Sequence, residues 1–441
     1  MSEPFPLLNT SADQLHNADA SNGGSRRRPR KSSGLGTADI RAGDTGAPAM
    51  ASSRASMTAS EKHADADAPS YAAVASSGSS KKRASRRRRA GFFSRVRQTM
   101  IRHTFVLPAV IVALVLAAYA VRPNPSNPVH RFIFLSYELP DHLDANGNIQ
   151  YGKGPWDMAF VAFYTVVLSF TREFVMQEML RPIARRAGLS RGKQARFMEQ
   201  GYTAVYFSIL GPLGMYVMSR TPVWYFNTRG MYEDFPHRTH DALVKFYYLF
   251  QAAYWAQQAI VLVLGMEKPR KDFKELVAHH IVSLALIGLS YRFHFTYIGI
   301  AVYITHDISD FFLATSKTLN YLDHPITVPF YAFFILVWIY LRHYINLRII
   351  WSLFTEFRTV GPFELNWETE QYKCQLSQVI TSSLLISLQA LNIFWLYYIL
   401  RVAFRVLTTN VAKDDRSEDE DEVDDQKQEA NGHAGENGSA R

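Results

Sequence analysis

The segment that decides the fold is Lys268–Asn320, KPRKDFKELVAHHIVSLALIGLSYRFHFTYIGIAVYITHDISDFFLATSKTLN. It contains two apolar runs, Leu276–Phe295 and Thr296–Lys317, and each has about the 20 residues that a helix needs to cross a bilayer. Ionisable side chains are costly inside the hydrocarbon and are therefore rare there. Among the ionisable residues of these runs, a set of five is of particular interest: His279, His280, His306, Asp307 and Asp310. We expect them to face one another in a polar cavity enclosed by protein.

The order of the motifs in this segment resembles one known family. The paired histidines, the HDxxD motif at His306–Asp310 and the closing SKTLNY at Ser316–Tyr321 are similar to the signature of the longevity-assurance family. These proteins are eukaryotic ceramide synthases of the TLC-domain class, and the chain resembles their fungal members. The resemblance extends over roughly residues 105–405 and includes YLRHYINLRIIWSLFTEFR at Tyr340–Arg358.

The resemblance implies a fold and an activity. The implied fold is an all-α integral membrane protein of the endoplasmic reticulum with about eight transmembrane helices, of which the last six form a TLC-type helical barrel around a lipid cavity. The implied activity is N-acylation of a sphingoid long-chain base, sphinganine or phytosphingosine, by a long or very long fatty acyl-CoA. The product is dihydroceramide or phytoceramide. Acyl-CoA is then a co-substrate, and no further cofactor is expected.

The resemblance also implies partners. Besides the lipid substrates and the membrane, a small single-span accessory subunit and a homo- or heterodimer are expected, and the loop before the last span is expected to influence acyl length. A second interpretation is a non-catalytic TLC-domain protein that senses, carries or helps to insert lipid. The complete set of histidines and aspartates favours the enzyme.

Hydropathy predicts eight apolar spans. They lie at approximately 104–121, 157–179, 198–219, 242–264, 276–295, 296–316, 326–348 and 376–402. Each is long enough to cross a hydrocarbon core of about 30 Å at about 1.5 Å per residue. We assign the first two helices with their loops to 103–195 and the TLC domain to 196–406.

The two tails have compositions that cannot form a packed core. Residues 1–102 are rich in Ser, Ala, Gly and Arg, and residues 407–441 are largely acidic and polar, so both tails are expected to be disordered. The formal net charge of +9 is interpreted as basic residues at a membrane surface and not as a nucleic-acid partner. Ser33 and Ser417 match short kinase motifs and are candidate phosphorylation sites.

Basic residues in the loops predict the topology. The segment Arg181–Arg196 holds six basic and no acidic residues and is expected to be a cytosolic loop under the positive-inside rule. An even number of spans then places both termini in the cytosol. Arg342 and Arg348 contradict this rule, because they would lie near the lumenal end of span seven. We therefore expect them to line the protein interior.

Helical spacing sorts the polar residues into faces. His279 and Ser283 share one face of span five, and Asp307 and Asp310 share one face of span six, which Lys317 continues toward the cytosol. Acyl transfer to an amine needs a base, and a neutral imidazole oriented by a carboxylate is suited to that role. A histidine that attacks the thioester and forms an acyl-imidazole is an equally open route. His279, His280, Asp307 and Asp310 are the catalytic candidates, and His306, Ser283 and Lys317 are supporting ones.

Two other interpretations of these residues compete with acyl transfer. Zinc or iron accepts such ligands, but adjacent histidines on a helix diverge, and HExxH and HxxxH motifs are absent from the sequence. No metal is therefore expected. A purely structural polar network is the other alternative.

Basic residues precede span five. Lys268, Arg270, Lys271 and Lys274 are expected to form a mouth that docks the phosphates of acyl-CoA. The competing interpretation is that they only anchor the helix at the membrane surface.

Overall fold

The computed structural model describes residues 103–144, 147–267 and 271–409. Both tails that were predicted to be disordered lie outside these ranges, apart from residues 407–409 at the end of the last helix. Ser33, Ser417, Lys268 and Arg270 also lie outside the described residues.

Helices occupy the positions of the predicted spans. The segments are α1 Val106–Ala120, the short α2 His130–Ile133, α3 Trp156–Phe174, α4 Arg181–Arg186, α5 Arg191–Ser219, α6 Ala242–Val263, α7 Phe273–Arg292, α8 Thr296–Tyr321, α9 Thr327–Trp338, α10 Asn346–Thr355 and α11 Gln375–Thr409. Two π-helical segments, Val175–Leu180 and Ile339–Ile345, join α3 to α4 and α9 to α10.

Four continuous helical stretches in the described chain are long and apolar enough to cross a membrane: Trp156–Arg186, Phe273–Arg292, Thr327–Thr355 and Gln375–Thr408. The helix Val106–Ala120 is apolar but shorter. The part of the chain that the structure describes is thus mostly helical with four candidate spans. Buried polar residues such as Glu199, Lys245 and His306 lower the hydropathy of α5, α6 and α8.

The basic segment between the second and third predicted spans is mostly helical and not the predicted loop, whereas its cytosolic position stays a prediction. Arg181–Arg186 is helical, and α5 begins at Arg191. A proline is tolerated in the first turn of a helix, as at Pro182, and the hydroxyl of Ser190 caps α5 by accepting from the backbone N–H of Lys193 at 3.5 Å. Only residues 187–190 connect the two helices.

A small antiparallel sheet corrects the purely α-helical prediction. Its strands are β1 Glu138–Leu143, β2 Ile149–Tyr151 and β3 His240–Asp241, in the order β1-β2-β3. Gln150 pairs with Asp241 in the register of β2 and β3. The Asp241 carboxylate also caps α6 by accepting from the N–H of Val244 at 2.8 Å.

Lys245 in the first turn of α6 fastens this sheet to the helices. Its side chain is fully buried, and Nζ lies 2.8 Å from Oδ1 of Asp157. Nζ also donates to the carbonyls of Ser136 and Gly152. A buried charge is tolerated only with such partners, which fixes the region before α3 on the start of α6.

Contacts between helix termini define two ends of the bundle. Tyr291 of α7 donates to Asp157 of α3 at 2.7 Å, and Thr296 of α8 contacts His240 before α6 at 2.9 Å. We call this end, which includes the sheet, the His294 end. The opposite end, reached by the C-terminal part of α8, is the Lys317 end.

Candidate active site

Two cavities meet at His279. An apolar cavity of about 180 Å³ lies between α7, α8 and α11 and extends toward the segment before α11. A more polar cavity of about 220 Å³ lies toward the Lys317 end. His279 and Trp255 line both cavities. The imidazole of His279 therefore separates an apolar compartment from a polar one.

Two tryptophans hold the His279 ring. The ring centroids of Trp255 and Trp395 lie 5.4 and 5.2 Å from that of His279, both in edge-on geometry. Trp395 Nε1 donates to the carboxylate of Asp272 at 3.1 Å, which fixes the indole. Nδ1 of His279 is buried and has no hydrogen-bond partner among the described residues. The ring is therefore positioned mainly by packing.

His280 has a defined tautomer. Its Nδ1 lies 2.9 Å from the carbonyl oxygen of Leu276, and because a carbonyl only accepts, Nδ1 carries the proton. In the neutral ring Nε2 then holds the lone pair. His280 lines the polar cavity, and its ring is perpendicular to that of His279 at 5.8 Å between centroids. The two adjacent histidines thus diverge, as helical geometry predicts.

His306 faces the apolar cavity, which it lines together with His279. Its Nδ1 donates to the carbonyl of Val302 at 2.8 Å, and the amide of Asn392 lies 3.4 Å from Nε2. Arg342 donates to Oδ1 of Asn392 at 3.1 Å, which turns the amide nitrogen toward His306. The contacts at Nδ1 and at Nε2 therefore both select the neutral tautomer of His306 in which Nδ1 carries the proton and Nε2 accepts a hydrogen bond.

Asp310 forms an ion pair with Arg342 inside the bundle. Arg342 also donates to Oγ of Ser309 at 2.6 Å and lies 4.1 Å from the centroid of the Trp338 ring. It sits in the π-helical segment, a type of irregularity that is frequent at functional sites. Arg342 lines the interior as expected, whereas Arg348 is exposed.

Asp307 is fully buried and lies outside the linings of both cavities. Its Oδ2 accepts from the hydroxyl of Tyr247 at 3.0 Å and from the amide of Gln251. We expected the aspartates to hydrogen-bond to the imidazoles, but the observed partners are Tyr247, Gln251 and Arg342. Helix carbonyls four residues earlier satisfy Nδ1 of His280 and His306 instead, because an imidazole on a helix reaches that position.

The remaining predicted residues divide between the cavities and the surface. Ser283 lines the apolar cavity, and Lys317 lines the polar cavity beside Asp310. Lys271 and Lys274 are exposed at the start of α7. Within the ranges that the structure describes, no group of three or more His, Cys, Asp or Glu residues is arranged to hold a metal ion.

Four residues of the site were not predicted from the sequence: Trp255, Trp395, Asp272 and Asn392. For Asn392 a signal was present, since a polar residue in the middle of an apolar span marks a buried contact. The tryptophans carried no such signal, because a tryptophan that faces lipid and one that packs on an imidazole look alike in sequence.

Comparison with known proteins gives consistent matches. Residues 196–401 match the TLC domain family. The chain is 54% identical over 343 residues to the sphingosine N-acyltransferase-like protein FUM17 of Gibberella moniliformis, which covers 77% of this chain and 88% of that protein. It is 48% identical to sphingosine N-acyltransferase lac1 of Schizosaccharomyces pombe, over 78% of this chain and 90% of the relative. Ceramide synthase LAG1 of Saccharomyces cerevisiae is 46% identical to this chain, over 74% of this chain and 79% of the relative.

Proposed function

Because the chain belongs to the family of TLC-domain sphingosine N-acyltransferases and ceramide synthases, we propose that it transfers a fatty acyl group from acyl-CoA to the amine of a sphingoid long-chain base. The product is a ceramide. The observation that carries the proposal is the position of His279 between an apolar and a polar cavity. An acyl-CoA has the same division, with a hydrocarbon chain on one side of its thioester and a charged carrier on the other.

The two cavities assign places to the parts of acyl-CoA. The acyl chain enters the apolar cavity, whose far end is lined by Leu365, Trp367 and Tyr372 of the segment before α11. The CoA moiety extends toward the polar cavity and Lys317. Lys271, just before α7, and Lys274, in its first turn, are exposed and supply positive charge for its phosphates. The resemblance further implies that the segment before α11 influences acyl length.

The reaction forms one bond and breaks another. The neutral amine attacks the thioester carbonyl carbon, the C–N bond forms, and the C–S bond breaks. A neutral imidazole takes the amine proton and returns a proton to the leaving thiolate. In the alternative route an imidazole nitrogen attacks first, and the amine then displaces it from an acyl-imidazole. Both routes require an unprotonated imidazole nitrogen, which the Nδ1–H tautomer of His280 provides at Nε2.

The carboxylates act as positioning groups. Asp310 holds Arg342, Arg342 orients Asn392, and Asn392 contacts Nε2 of His306. Asp307 fixes Tyr247 and Gln251 of α6 against α8. Trp255, which packs on His279, lies one turn further along α6 than Gln251. The HDxxD motif thus stabilises the arrangement of helices in which both cavities reach His279.

The proposed topology has eight spans with both termini in the cytosol of the endoplasmic reticulum membrane. Its support is the alternation of helix directions between the His294 end and the Lys317 end, together with the basic residues near the Lys317 end. The Lys317 end is then cytosolic, where acyl-CoA is found. A helical barrel of the last six spans, a single-span accessory subunit and a dimer are proposed from the resemblance alone.

The purified full-length protein tests this function. We expect it to convert sphinganine and a saturated acyl-CoA into N-acylsphinganine, with one free CoA thiol released per product. If the protein incubated with acyl-CoA alone gains the mass of one acyl group, the acyl-imidazole route is assigned. If no acylated protein is found during turnover, direct attack of the amine is assigned. Binding of sphinganine without product would instead identify a non-catalytic lipid-binding protein.

A further inference from the structure

A third cavity takes no part in the proposed reaction. It is a groove of about 840 Å³ between α3 and α7, with α6 as its floor. Its apolar walls include Met158 of α3, Ala252 and Ala256 of α6, and Ile287 and Gly288 of α7. Met158 is 69% exposed, and a Cβ atom added to Gly288 would meet nothing within 4 Å. The groove is therefore open on the outer side of the bundle.

One end of the groove is rich in cations. Lys153, Arg238 and Arg292 line it together with His294. Arg238 and Arg292 are exposed, and neither forms an ion pair with any residue in the described part of the chain. Lys153 Nζ donates to the carbonyl of His237 at 2.8 Å and contacts Nδ1 of His294 at 3.2 Å.

His294 presents a hydrogen-bond donor at this end. Because the ammonium of Lys153 donates to Nδ1, the neutral imidazole carries its own proton at Nε2. Nε2 is buried and makes no hydrogen bond to any residue that the structure describes. The nearest carboxylate, Glu370, lies 3.5 Å away. A buried donor whose nearest acceptor lies at this distance is incompletely satisfied.

The charges at this end do not balance. Asp157 is neutralised by Lys245 at 2.8 Å, so Glu370 is the remaining carboxylate in the lining against two permanent cations, Arg238 and Arg292, and Lys153, whose pKa burial lowers to about 7. An anion is therefore favoured here, and an amine is not.

The cationic end also lies at the depth of lipid headgroups. Trp156 is the first residue of one candidate span and Arg292 the last of another. Membrane helices end at the headgroup level, and aromatic residues such as Trp156 and Tyr291 are enriched there.

We propose that this groove binds a phospholipid with a net negative headgroup. The phosphate oxygens accept hydrogen bonds from Arg238, Arg292 and Nε2 of His294, and one acyl chain lies along Ala252 and Gly288. The cations disfavour a sphingoid base, whose ammonium they repel. A ceramide, which has no phosphate, leaves the same donors unsatisfied.

The test uses full-length protein in a neutral detergent. Its thermal unfolding is titrated with dioleoylphosphatidylglycerol, with dioleoylphosphatidylcholine and with inorganic phosphate. We expect dioleoylphosphatidylglycerol to raise the melting temperature at a lower concentration than dioleoylphosphatidylcholine or inorganic phosphate does. The double variant Arg238→Gln/Arg292→Gln should weaken that response by about 5-fold for each cation removed. Equal responses to both lipids in the wild type would overturn the proposal. An equal response to inorganic phosphate would also overturn it, because the acyl chains of the lipid would then contribute nothing to binding.

A matched pair of variants tests the apolar part of the groove. Gly288→Phe points a ring into open space and should abolish the response to phosphatidylglycerol without lowering the melting temperature in detergent. Ile281→Phe adds the same ring at a position on α7 that is 65% exposed and outside the groove, and should respond like the wild type. If Gly288→Phe and Ile281→Phe both respond like the wild type, the groove is not the lipid site.

Discussion

Arg342 and Asp310 form an ion pair between the π-helical segment Ile339–Ile345 and α8, with both side chains mostly withdrawn from solvent. Their attraction has to offset the cost of taking two charges out of water. Additional contacts assist: Arg342 donates to Ser309 and lies over the ring of Trp338. Each of the two buried charges is therefore tolerated only while the other is present.

Removing one charge of this pair should destabilise the protein strongly. In Asp310→Asn the guanidinium of Arg342 stays buried without its carboxylate, and such a loss costs about 3–5 kcal/mol of unfolding free energy. We expect a lower melting temperature in detergent and little activity. The double variant Asp310→Asn/Arg342→Gln should regain much of the stability. A double variant no more stable than Asp310→Asn would contradict this account of the pair.

Trp395 should act on turnover and not on substrate affinity. Trp395→Phe keeps an aromatic ring beside His279 but loses the N–H that donates to Asp272. One lost hydrogen bond is worth about 1 kcal/mol, so kcat should fall about 5-fold while KM for both substrates stays unchanged. Trp351→Phe, at a position that is 68% exposed, is the matched control. An unchanged kcat, or a rise in KM alone, would remove Trp395 from the positioning of His279.

Lys271 and Lys274 distinguish docking of CoA from anchoring of α7. If they attract the CoA phosphates, Lys271→Gln/Lys274→Gln should raise KM for acyl-CoA by about 5-fold per cation and leave KM for sphinganine unchanged. The wild-type KM for acyl-CoA should then also rise with salt. Arg191→Gln, an exposed cation at the start of α5, serves as the control. Unchanged KM values in a correctly inserted protein would favour the anchoring role.

Acid should destabilise the His294 end. Burial, assisted by the charge of Lys153, lowers the pKa of His237 from 6.5 to about 4. Between these values the unfolded chain binds a proton that the folded protein does not, so stability is full above pH 6.5 and falls as the pH drops toward 4. The difference corresponds to about 3 kcal/mol. Melting temperatures measured from pH 7.5 to pH 4.5 should therefore fall less in His237→Gln than in the wild type, and parallel curves would refute this assignment.

The sequence predicted the helix positions well because an apolar run and its polar boundaries determine where a buried helix begins and ends. The same physics placed His279, Ser283 and Asp310 beside the cavities. It also identified Arg342 as an interior residue, because a charge in a membrane span has to be paired. The loop predicted at Arg181–Arg196 was wrong, since charge content reports the membrane side and not the local backbone conformation.

The contacts of the polar residues were not predictable in the same way. The sequence placed Asp307 and His280 at similar depths but did not distinguish a bond between them from the observed bonds to Tyr247 and Leu276. Which partner a side chain takes depends on helix rotation of a few tens of degrees, which periodicity does not resolve. The small sheet was missed because its strands have only two to six residues.

The measurement that tests the central claim most directly is the turnover of purified His279→Ala with sphinganine and acyl-CoA. The account predicts that product formation falls by about 10²–10⁴-fold, the range for loss of a general base, in a protein that still folds and inserts into the membrane. The turnover of His280→Ala should fall similarly. His343 is a half-buried histidine bonded to Gln389, and the turnover of His343→Ala should stay near that of the wild type. Near-normal turnover in both His279→Ala and His280→Ala would contradict the assignment of this histidine pair to acyl transfer.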